Sequence, residues 1–219
     1  MHTTIENEPE ECRHVATTTE KVKMIKQSFR LMMDGAVASS MHEKGLRYHL
    51  NWGATLPRLR AIANEYGQNY DLAIALWKEN VRECRLLATM IMPAEEILPE
   101  VIDIWMEQTD TMEIAEQASL NLYSRLPFAP EKAFQWIASD KGLYQLCGFH
   151  VLSRLFMNGQ EPNARSINEF IDQAIAALLG TNLSVRKAAM NSVIRFAELG
   201  LVYERLAKSA LKHANLDFL

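Results

Sequence analysis

Apolar residues in this chain recur three to four positions apart almost from end to end, and nowhere do they alternate with polar ones over the length of a strand. A half-buried strand needs period two and a helix needs a period near 3.6, so the pattern excludes sheet-based folds and predicts an all-α protein. Thr17, Thr18 and Thr19 offer cap oxygens ahead of Val22, Ile25, Phe29 and Met32 at helical spacing. A less regular stretch, Gly35 to Gly53, follows, and Pro57 then sits in the first turn of another helix, where its missing N–H costs least. Asp71 is placed to cap Leu72 to Trp77, and the helix from Val81 to Met92 is stopped by Pro93. Leu98, Val101, Ile102 and Trp105 form an apolar stripe opposite Glu100, Asp103 and Glu107. Helices are also expected from Asp110 or Thr111 to Arg125, and over 131–138, 143–157, 164–179, 183–197 and 201–211, making about twelve.

These helices read as pairs. Comparable segments of the second members start at Arg85, Gln117, Cys147 and Lys187, and each mixes small with large apolar residues so that one helix can lie close against the next. Recurrence at 30 to 40 residues with two helices per unit indicates an α-solenoid of HEAT-like helix pairs, about six repeats, filling residues 18–219 as one domain. Val185-Arg186-Lys187-Ala188-Ala189 is the most HEAT-like segment. Residues 1–17 lack apolar periodicity and are expected to form a flexible acidic leader.

Charge is unevenly distributed. Residues 21–90 carry 11 basic and 6 acidic side chains, 91–140 carry 2 and 10, and 141–219 carry 9 and 6. A face that holds nucleic acid can therefore be assembled from the outer blocks, provided the acidic middle block points elsewhere. No apolar run reaches the roughly 18 residues of a membrane helix. The three cysteines, Cys12, Cys84 and Cys147, are widely spaced, and with no secretory signal the expectation is reduced thiols in a cytoplasm.

Templates for phosphate, dinucleotide, metal and nucleophile chemistry are missing: the sequence has no GxGxxG, GxxxxGK[ST], GxSxG, HExxH or CxxC. Its six histidines are scattered, so neither metal nor cofactor is expected. Ser184 matches the start of an SxxK motif whose companions are missing, and reads better as a helix cap. Cys84, Cys147 and all four tryptophans fall in apolar helical contexts and read as core.

Trp52-Gly53 followed by Pro57-Arg58-Leu59-Arg60-Ala61-Ile62-Ala63 resembles a segment of the bacterial DNA alkylation repair family. So do Leu76-Trp77 with Glu83-Cys84-Arg85-Leu86-Leu87-Ala88, and Val185 to Ala188. The resemblance implies HEAT-like repeats and a basic concave face that holds duplex DNA, in a family of alkylpurine DNA glycosylases. An N3- or N7-alkylated purine is already a cationic leaving group. Such an enzyme has chiefly to stabilise positive charge on the sugar, with a carboxylate and aromatic faces.

Carried over residue by residue, that family's Trp-x-x-x-Asp helix falls at Met112 and Glu116, its arginine at Leu146 or Cys147, and its C-terminal tryptophan at Asn191. Glu116 keeps the charge on a longer arm, and the other positions lose their chemistry. The expectation is therefore a non-catalytic relative that binds DNA or a protein partner. Two alternatives stand beside it: an active glycosylase using Glu116, and a protein-binding scaffold without DNA contact. Arg58, Arg60, Arg82, Arg85, Arg186, Lys187 and Arg195 are the candidate phosphate contacts.

Overall fold

The computed structural model describes residues 16–216 and 218–219, so most of the expected leader, and Cys12, lie outside the described residues. Within them the chain forms twelve α-helices and one 3₁₀ turn. They are α1 (Thr18–Leu31), α2 (Gly35–Glu43), α3 (Leu56–Tyr66), α4 (Tyr70–Lys78), α5 (Arg82–Ile91) and α6 (Pro99–Glu107). α7 (Met112–Asn121), the 3₁₀ turn Tyr123–Arg125, α8 (Ala129–Ile137), α9 (Gly142–Met157), α10 (Ala164–Leu179), α11 (Leu183–Ala197) and α12 (Leu201–His213) follow.

Helix starts follow the local chemistry, with two corrections to the expected caps. Thr17 and Glu20 close a reciprocal capping box at α1, and Thr111 accepts from the Ile114 amide at α7. Asn69, not Asp71, accepts the Leu72 amide at α4, and Asp71 lies within the first turn. Asn182, not Ser184, accepts the amides of Ser184 and Val185 at α11. In both cases the asparagine precedes the helix in extended backbone, where a short side chain can reach back over the first turn. Pro57, Pro99 and Pro130 occupy first turns of α3, α6 and α8. The stretch from Gly35 holds a helix that periodicity missed: α2 buries none of its residues, so no apolar stripe marks it.

α4 packs on α5, α8 on α9 and α10 on α11. The second helices α3, α5, α7, α9 and α11 also pack each on the next, forming a continuous row. All four segments that the sequence aligns, from Arg85, Gln117, Cys147 and Lys187, lie in this row. First helices meet through longer side chains: the Trp77 and Trp105 rings stack with centroids 4.1 Å apart, and Lys132 Nζ lies 2.6 Å from Asp103 Oδ1. The second helices are thus the more closely packed of the two rows and form the inner row, with the first helices as the outer one.

The four tryptophans are buried as expected, and so are Cys84 and Cys147. Burial pushes both thiols up to about 12, which suits packing and not nucleophilic work.

The segments that carry the family resemblance hold the N-terminal part together. The amides of Trp52 and Ala54 donate to the fully buried Glu83 carboxylate, each 3.2 Å from Oε1. Gly53, between them, has φ +74°, and a Cβ there would lie 2.2 Å from the Asp34 carbonyl oxygen. The geometry of this turn therefore demands a residue without a side chain.

Candidate nucleic-acid interface

Positions inferred from the family pattern meet on α7 and α9, neighbours in the inner row. Met112, at the start of α7, is 40% exposed, and Glu116 follows one turn later on the same side. Partial burial, and then the charge of Glu113, raise the Glu116 carboxyl above its ordinary pKa. Across from it on α9 stands His150, with Nε2 3.9 Å from Glu116 Oε1. Burial lowers the pKa of His150, which leaves the ring neutral at pH 7, and its Nε2 is buried without a hydrogen-bond partner. Sequence reasoning passed over His150, because one histidine within an apolar helix carries no motif.

Leu146 and Cys147 are both buried, and the Cys147 thiol donates to the Ala115 carbonyl at 3.5 Å. One turn further on, α9 carries His150, which is partly buried. Asn191 is exposed on α11, together with Arg186 and Lys187. Glu116 and His150 can polarise or exchange a proton with a group placed beside them. Around them the pattern supplies neither a cation nor an aromatic face.

The seven candidate phosphate contacts separate into groups. Arg58, Arg60, Arg186 and Lys187 are exposed, and Arg195 is partly exposed and paired with Glu198 at 2.7 Å. Arg58 also donates to the Met32 carbonyl at 3.3 Å. Arg82 is not at the surface. It is 2% exposed, with Nη1 on the Ala54 carbonyl and Glu83, and Nε and Nη2 on Glu113. Every part of its fork is engaged inside the protein, which removes it from any phosphate-binding set. Arg85 is mostly buried, lying 5.6 Å above the Trp77 ring with Nη1 3.0 Å from the Gln108 carbonyl and 3.5 Å from Asp110. It ties α5 to the first-helix row.

Of the ten acidic residues of the middle block, four lie in that same first-helix row, two on α7 and four in connections. Glu100, Asp103 and Glu107 are exposed on α6, with Trp105 buried behind them, and Glu131 is exposed on α8. On α7, Glu113 is spent on Arg82 and Tyr48, which leaves Glu116 as that helix's unneutralised carboxylate. Burial opposes the charge of Glu113, but the Arg82 guanidinium outweighs it and holds the carboxyl below its ordinary range. Among the described residues, no three His, Cys, Asp or Glu side chains gather as a metal site requires, and no helix is long and apolar enough to cross a membrane.

A solved structure described as "A new family of proteins related to the HEAT-like repeat DNA glycosylases with affinity for branched DNA structures" matches with a TM-score of 0.74, covering 87% of this chain and 80% of that one. At 16% identity the likeness is one of fold. No curated protein matches the chain. The model of the family described as DNA alkylation repair enzyme matches residues 25–216, nearly the whole described solenoid. A continuous match of that extent, on a helical-repeat fold whose own motif residues build its N-terminal turn, means that the chain belongs to the DNA alkylation repair enzyme family.

Proposed function

We propose that this protein binds DNA along its inner helix row without excising bases, and that it favours branched DNA. The observation that carries the reading is the division of charge between the two rows. Four exposed carboxylates of the middle block, Glu100, Asp103, Glu107 and Glu131, stand on the first helices α6 and α8, while Arg58, Arg60, Arg186 and Lys187 stand exposed on second helices. Phosphates approaching the inner row therefore meet cations without first passing an acidic wall. The preference for branches is taken from the fold neighbour's described affinity.

Absence of excision rests on the site itself. Met112 offers a thioether where the family pattern has an aromatic face, and Leu146 and Cys147 are buried at its arginine position. Glu116 remains, with His150 at 3.9 Å, and this pair supports a second reading as an active glycosylase. The two readings separate in a base-release assay on DNA containing 7-methylguanine. We expect no release above the rate without protein. Release that Glu116→Gln abolishes would establish the enzyme reading instead.

Binding itself is tested by titrating a fluorescent four-way DNA junction and a matched duplex at several salt concentrations. Removing two phosphate contacts with the double variant Arg186→Ala, Lys187→Ala should flatten the log–log salt slope by about 1.8, at about 0.9 per contact. Unchanged slope and affinity would remove α11 from the interface. Failure of the wild type to bind either DNA at low salt would favour a protein-binding scaffold.

A further inference from the structure

α2 is unlike the other helices. Among the twelve described, it alone has no buried residue, and no helix packs extensively on it. Apolar burial does not explain why it folds where it does. It is positioned by polar links instead: the Asp34 amide donates to the Trp52 carbonyl at 2.8 Å, and Asn51 Nδ2 lies 3.3 Å from Met41 Sδ. The segment 44–51 that follows is tied down the same way. The Arg82 amide donates to the Leu50 carbonyl at 3.0 Å, and Tyr48 Oη donates to Glu113 and accepts from Thr111 at 3.3 Å.

Between α2 and this segment runs a groove of about 540 Å³, lined by Ser39, His42, Glu43, Tyr48, His49 and Asn51 among others. Tyr48 anchors it at the start of α7, between whose partners Thr111 and Glu113 lies Met112. The groove thus reaches the same end of α7 as the Met112–Glu116 position on the inner row. Beside it, Lys44 and Arg47 are exposed, and neither pairs with a carboxylate among the described residues. Glu43 is the one carboxylate between Gly35 and Asn51.

We propose that α2 and residues 44–51 form a second DNA contact, in which the groove takes the backbone of one strand and Lys44 and Arg47 pair with its phosphates. This rests on the reading of the protein as a DNA binder and adds a surface to it. Free cations next to imidazole and hydroxyl donors suit phosphate and sugar oxygens, and they do not suit an apolar helix or an acid-poor peptide. A strand here also supplies the cover that α2 lacks. That explains how a helix without a buried face is useful at this place in the fold.

The test measures junction binding by the double variant Lys44→Ala, Arg47→Ala and by Ser39→Trp, which fills the groove. All three positions are exposed, and melting temperatures should match the wild type. We expect the double variant's salt slope to fall by about 1.8, so that raising salt from 50 to 200 mM costs it roughly tenfold less affinity than the wild type. Ser39→Trp should weaken binding at every salt concentration. Slope and affinity unchanged in both variants, while Arg186→Ala, Lys187→Ala still flattens the slope, would overturn this contact alone. Loss of all DNA binding in the wild type would overturn both.

Discussion

Replacing Arg82 by Ala should destabilise the protein by about 3–5 kcal/mol, the cost of removing one partner from a buried charged cluster. Arg82 joins three separate parts of the chain: the Ala54 carbonyl in the turn before α3, Glu83 in its own helix, and Glu113 on α7. Without the guanidinium, Glu83 keeps the amides of Trp52 and Ala54 but loses its compensating charge in a site that is fully buried. Glu113 keeps the Tyr48 hydroxyl alone. Urea unfolding at pH 7 checks the magnitude. Adding Glu83→Gln and Glu113→Gln to Arg82→Met should recover much of the loss, because no uncompensated charge then remains inside.

The same cluster makes a statement about acid. Arg82 holds the folded pKa of Glu113 below that of the unfolded chain, about 4.3, so this stabilisation is complete above that value and disappears as pH falls through the lower folded one. The gap between wild type and Arg82→Ala should therefore narrow in acid. A gap that stays constant from pH 7 to pH 3 would mean that the ion pair contributes little.

Gly148→Ala should cost about 1–3 kcal/mol, and more if α8 cannot retreat. A Cβ on Gly148 would stand 2.7 Å from Ile137 Cγ2 and 2.8 Å from both the Ala133 carbonyl oxygen and the Ile137 amide nitrogen. Two of those three neighbours are backbone, so no side-chain rotation relieves the contact. α9 also packs against α7 and α11, which leaves it no free direction in which to move. A thermal melt measures the loss. The companion Gly159→Ala, where nothing lies within 4 Å but φ is +77°, should show the smaller cost of an unfavourable backbone angle alone.

Legibility in the sequence followed the strength of local signals. Where a helix buries a stripe, as α1 does through Val22, Ile25 and Phe29, periodicity located it within a few residues. α2 buries nothing and was not seen. Caps were misassigned where two short polar residues compete, because the choice between Asn69 and Asp71, or Asn182 and Ser184, depends on which one lies just outside the first turn. The charge of Arg82 suggested a phosphate contact. Its position between Glu83 and Glu113, 31 residues away on α7, depends on how two repeats pack.

Helical periodicity and its recurrence every 30 to 40 residues by themselves determined an all-α solenoid, because apolar burial along each helix and from one repeat to the next is local in the chain. Family membership was likewise written in short segments, whose residues turn out to shape the turn around Gly53 and Glu83. Tertiary structure alone decided on which row each charge stands. It turned the acidic stripe of α6 outward, took Arg82 inside and set His150 beside Glu116, since these outcomes depend on contacts between helices that no single helix encodes.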